Sequence, residues 1–88
     1  MLNNIIIPVF AASKYGLKGN DLIIYGIIYT YCKNDFDPQI SLSEFATYTN
    51  STRQGIIKNV KHLKELGMID YTLGSNGFRN HYRLLVKE

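Results

Sequence analysis

Between residues 51 and 61 the chain reads STRQGIIKNVK. Four consecutive side chains, Ser51, Thr52, Arg53 and Gln54, carry hydrogen-bond donors: two short hydroxyls, a guanidinium and a carboxamide. At the start of a helix, hydroxyls and free backbone N–H groups bind phosphate oxygens, helped by the helix dipole. A guanidinium can meet guanine O6 and N7 as a two-pronged donor, and a carboxamide can meet adenine N6 and N7. Lys58 and Lys61 follow about one and two turns later, where an ammonium reaches flanking phosphates. Gly55 offers no side chain where a backbone must come close. A second polar cluster, Ser75, Asn76, Arg79, Asn80 and His81, lies further along. Lysines on an amphipathic helix are also an ordinary solvated face, and Lys64 and Glu65 are read that way.

Catalytic chemistry finds little support. His62 and His81 stand apart from any cysteine or acid at metal-ligand spacing, and His62 reads as a plain surface residue. Asp35 and Asp37 flank a turn in KNDFDP and are read as solvated rather than as a working carboxylate pair. No nucleophile, base and stabiliser occur together. The expectation is a non-enzyme, with no catalytic residue, metal, cofactor or small-molecule ligand.

The elements that must position these donors follow from pattern. NNIIIPVF is an extended lead-in, because its β-branched isoleucines favour extended backbone and Pro8 denies a helix before it. A brief helical turn is expected near Val9–Lys14. Residues 19–32 form a helix that is apolar on nearly every face, which demands a central position or an oligomer contact. Gly26 in its middle costs about 1 kcal/mol relative to Ala, a sign of close approach by another element. Ser41 and Glu44 form a capping box for a second helix carrying Leu42, Phe45 and Ala46, which stops near Thr49-Asn50. Ser51 with Gln54 repeats that pattern for a third helix over 51–66, with Ile56, Val60 and Leu63 inward and Gly67 as its left-handed stop. A strand over 68–73, a turn at 74–77 and a rougher return strand over 78–86 make a hairpin.

The bulk numbers agree with one folded domain over residues 1–88. The chain is 45% hydrophobic and 19% charged, which excludes a disordered polymer. Its net charge of +3 is concentrated: residues 51–88 hold seven Lys/Arg against three acids, whereas residues 1–50 hold three against four. A positive field over one half suits an anionic partner. Cys32 is the single cysteine, read as a small buried hydrophobe in a reducing compartment. No signal sequence or membrane-length run is visible, so a cytoplasmic location is expected.

SLSEFATYTNSTRQGIIKNVKHLKELGMIDY followed by TLGSNGFRNHYRLLVK resembles a winged helix-turn-helix domain, with LKELGMI similar to that family's junction into its wing. The resemblance implies an α+β fold, a three-helix core with a C-terminal β-hairpin wing. It also implies that 51–66 is a recognition helix for the major groove of double-stranded DNA, with the wing at 74–81 on the backbone or minor groove. The upstream IIIPVFAASKYGLKGNDLIIYGIIYTY resembles the N-terminal domains of replication initiators and replisome organisers of Gram-positive plasmids and phages. One departure is Ile56-Ile57, apolar where that family often has a further polar contact; it narrows base reading to Arg53, Gln54 and Thr52. A small transcriptional regulator, or a protein–protein adaptor using seven tyrosines, stands as the alternative. A homodimer through residues 19–32 is a further expectation.

Overall fold

The computed structural model describes residues 3–72, 74 and 79–86. In chain order the elements are α1 (Val9–Ser13), α2 (Gly19–Lys33), β1 (Gln39–Ile40), α3 (Leu42–Thr49), α4 (Arg53–Glu65), β2 (Ile69–Thr72) and β3 (Asn80–Leu84). The class is α+β, with four helices and an antiparallel sheet ordered β1-β3-β2. The sheet has one strand more than the expected hairpin. Gln39 pairs with His81 and Ile40 with Asn80, and a two-residue strand is too short to leave a period in the sequence. No helix among the described residues is long and apolar enough to cross a membrane.

The all-round apolar helix occupies the centre. Ile24–Thr30 of α2 are buried, and the helix touches α1, α3, α4 and β3. The central position, one of the two expected explanations for its apolarity, is thus met for its middle turns, whereas Leu22, Ile23, Tyr31 and Cys32 remain half-buried. Gly26 has the close neighbour its position implied. A Cβ there would stand 3.1 Å from Ile7 Cγ1 and 3.2 Å from the Ile6 carbonyl oxygen. Thr30 fastens this crossing, accepting from Ile6 N–H at 2.7 Å and donating to the Gly26 carbonyl at 2.7 Å. Phe10 of α1 meets Tyr15, Tyr25 and Tyr29 edge-on, with ring centroids 6.1–6.2 Å apart. The Tyr25 hydroxyl donates to the Val86 carbonyl at 2.9 Å. All seven tyrosines are buried or half-buried, and Tyr25, Tyr29 and Tyr82 are core residues. Cys32 is half-buried against the core.

The second core layer joins α3 and α4 to the sheet. Phe45, Ile56, Val60, Leu63, Met68, Ile69, Tyr82 and Leu84 are buried together. Strand β3 alternates cleanly, with Asn80, Tyr82 and Leu84 inward and His81 and Arg83 outward. The roughness of this strand in the sequence comes from Asn80, a polar residue on the inward face. Its side chain donates to the Tyr82 hydroxyl at 3.3 Å and accepts from Gly74 N–H at 3.4 Å. Gly74 itself is pressed so close to the Arg79 carbonyl that a Cβ would overlap it.

Burial pushes the Tyr82 phenol above its ordinary value of 10.0, reinforced by Tyr71 and opposed by the hydrogen bond from Asn80. The folded state thus holds this proton more tightly than the unfolded chain does. Stability is intact below pH 10 and falls as pH rises past 10 toward the folded value. Urea midpoints measured at pH 8, 10 and 11 should show this loss, and Tyr82→Phe should flatten the alkaline limb.

Candidate nucleic-acid interface

The polar stretch that opened the sequence lies on two helices joined by a short turn. Ser41 caps α3 as expected: its hydroxyl accepts from Glu44 N–H at 3.0 Å, and the Glu44 carboxylate accepts from Ser41 N–H at 3.4 Å. Asn50 ends α3 in the left-handed region with φ 52°, a conformation asparagine tolerates better than most residues. The second expected capping box is not formed. Thr52, not Ser51, is the N-cap of α4, its hydroxyl accepting from Gly55 N–H at 3.1 Å. Ser51 instead shares a hydrogen bond with the Thr49 hydroxyl across the turn, which moves the start of α4 two residues beyond the expected 51. Thr52→Ala should therefore cost about 1 kcal/mol of stability and Gln54→Ala much less, as read from thermal melts.

Ile56, Val60 and Leu63 anchor α4 in the core. That orientation leaves Thr52, Arg53, Gln54, Lys58 and Lys61 exposed. Among the described residues, none of Arg53, Lys58 and Lys61 is ion-paired. Lys64 differs from its expected role as a solvated lysine. Its ammonium lies 3.5 Å from Asp70 and 4.8 Å from the centre of the Tyr71 ring. Arg83 meets the same carboxylate at 2.7 Å. The Asp70 carboxyl is held below its ordinary 3.8, first by Tyr71 N–H and then by Arg83 and Lys64. The free positive charge of α4 is thus confined to its first two-thirds.

In comparisons with models of known protein families, with curated proteins and with solved structures, no match was found. The site therefore stands on its own geometry.

The hairpin residues fare unequally. Ser75 and Asn76 lie outside the described residues. Arg79 is half-exposed but tied back, 2.6 Å from the Glu44 carboxylate and donating to the Gln39 carbonyl at 2.9 Å. His81 points outward, its Nδ1 3.6 Å from Asp37, a contact that is ionic only when the ring is protonated. Asn80 is buried, and both ends of its carboxamide are engaged within the fold. The start of α4 thus presents free donors, whereas the described part of the hairpin presents donors already partnered.

Sequence reasoning passed over one constellation. Asp21, in the first turn of α2, accepts from Asn59 Nδ2 at 2.7 Å through one oxygen and meets His62 Nδ1 at 2.5 Å through the other. His62 is therefore not a plain surface residue but one end of a polar tie between α2 and α4. The partners are 38 and 41 residues apart, so no local spacing announced them. Beside α3, an open cleft is lined by Tyr31, Ser43, Glu44, Thr47, Tyr48 and Arg79. Burial raises the Tyr31 phenol above 10.0, with Tyr48 and Glu44 adding to it. Among the described residues no group of three His, Cys, Asp or Glu is arranged to hold a metal ion.

Proposed function

We propose that this chain is a winged helix-turn-helix module that binds double-stranded DNA by sequence. Helix α4 would lie in the major groove and the 74–81 hairpin would lie against the backbone or minor groove. The observation that carries this reading is the exposed set Thr52, Arg53, Gln54, Lys58 and Lys61 at the cap and along a helix separated from α3 by three residues, with Arg53, Lys58 and Lys61 free of ion pairs among the described residues. Arg53 and Gln54 are the base readers, with Thr52 beside them as cap and phosphate contact. Lys58 and Lys61 supply electrostatic affinity. Arg79 and His81 would reach phosphate only by exchanging their present carboxylate partners.

The resemblance of residues 5–31 to plasmid and phage initiators supports a role in replication initiation. A small transcriptional regulator would use the same surface. The adaptor reading draws instead on Ile6, Ile7 and Val9, exposed apolar residues on the N-terminal segment that could meet another protein. Selection of bound duplexes from a randomised pool separates these readings. Duplex recognition yields one enriched motif whose half-site spacing reports any dimer; a pool that stays random contradicts it and favours the adaptor.

A further inference from the structure

The tie between Asp21 and His62 has a chemical polarity. A carboxylate can only accept, so the ring nitrogen facing it, Nδ1, carries the hydrogen. In the neutral ring Nε2 then presents a lone pair, which an anion would repel. Protonation converts Nε2 into a second donor. His62 is 57% exposed while Asp21 is 15% exposed, so the carboxylate is sheltered and the imidazole reaches solvent. Lys58, one turn earlier, and Lys61, the preceding residue, are cations of the same helix without an ion pair among the described residues.

We propose that His62 is a proton-dependent phosphate-binding residue, held by Asp21, so that duplex binding takes up a proton. This rests on the duplex-binding reading above. Asp21 of α2 is the charged group shown against the ring; Lys18 stands at the N-cap of that helix, and Lys58, Lys61 and Glu65 are the nearby charges of α4 in sequence. A phosphate drawn to Lys58 and Lys61 meets an imidazole whose other nitrogen already faces an anion. To donate to both the Asp21 carboxylate and the phosphate, the ring needs a hydrogen on each nitrogen. Asn59, bonded to the second Asp21 oxygen, keeps the carboxylate aimed.

The test is duplex affinity by fluorescence anisotropy from pH 8.5 to pH 6.0 at fixed ionic strength. The expected result is a Kd that falls with pH, by at most about tenfold per unit, over the range in which imidazoles titrate. His62→Gln should flatten this slope. Asp21→Asn should reduce the slope, because a ring no longer held Nδ1–H by the carboxylate can present Nε2–H while neutral, which a purely structural tie would not do. Calorimetry of the unaltered protein in two buffers of different ionisation heat should count up to one proton taken up, and this holds even if a variant folds poorly. Binding with a flat profile and no proton uptake overturns the proposal alone, as does an unchanged slope in His62→Gln. Failure to bind duplex at any pH overturns both this proposal and the function it rests on.

Discussion

Replacing Arg53 and Lys58 together with alanine should weaken binding to a selected duplex by about one to three orders of magnitude. The two residues act differently. Arg53 is exposed at the first position of α4 and has no ion pair among the described residues, so in the proposed docking it would bring its full donor set to a base edge. Loss of a two-pronged guanine contact costs about 1–3 kcal/mol and relaxes preference at that base pair. Lys58, one turn on, contributes charge without sequence information. Its removal should weaken binding to all duplexes alike and reduce the salt slope by about one. Single variants measured against the selected duplex and a scrambled one separate the two roles. Arg53→Ala should narrow the ratio between them, and Lys58→Ala should leave it unchanged. Neither substitution touches the core, so the thermal midpoint should stay where it was.

Phe45→Ala should produce the opposite signature, a large loss of stability. Phe45 has no exposed surface and meets Tyr82 edge-on, with ring centroids 5.3 Å apart. It joins α3 to the return strand across the core. Truncating a buried phenylalanine costs about 3–5 kcal/mol, a large share of the roughly 5–15 kcal/mol that folds a typical domain. In a chain of this size each kcal/mol lowers the melting midpoint by about 4–8 °C, so a fall beyond ~12 °C is expected. Circular dichroism melts check this directly. A change of only a few degrees would mean that α3 packs on the sheet through other residues.

Much of the fold was legible because its signals are local. Apolar residues at i, i+4 and i+7 marked Ile56, Val60 and Leu63 as the inward face of α4. Ser41 with Glu44 marked the start of α3, and Gly67, at φ 75°, marked the end of α4. Gly26 announced a crossing that proved to be the Ile5–Ile7 segment. What escaped was set by distance along the chain or by competition between equal local options. Strand β1 exists only because residues 80–81 lie beside it. Ser51 and Thr52 are both competent caps, and the turn chose Thr52 by engaging Ser51 with Thr49. Asn80 looked like a hairpin donor because its type is polar, yet the strand register turns it inward onto Tyr82. The tie from Asp21 to Asn59 and His62 depends on two helices packing, which no short window contains. In the candidate site, the exposed donors of α4 were legible from helical spacing. The pairing of Arg79 with Glu44 and of Lys64 with Asp70 was not, because each spans two elements.

The most direct test is the salt dependence of duplex binding. With Lys58, Lys61 and Arg79 on phosphates, log K should fall linearly with log salt at a slope of roughly −3. Arg53→Ala plus Lys58→Ala should bring the slope closer to zero. A duplex affinity that is indifferent to salt, or unchanged in that variant, would contradict the assignment of α4 as the helix that binds DNA.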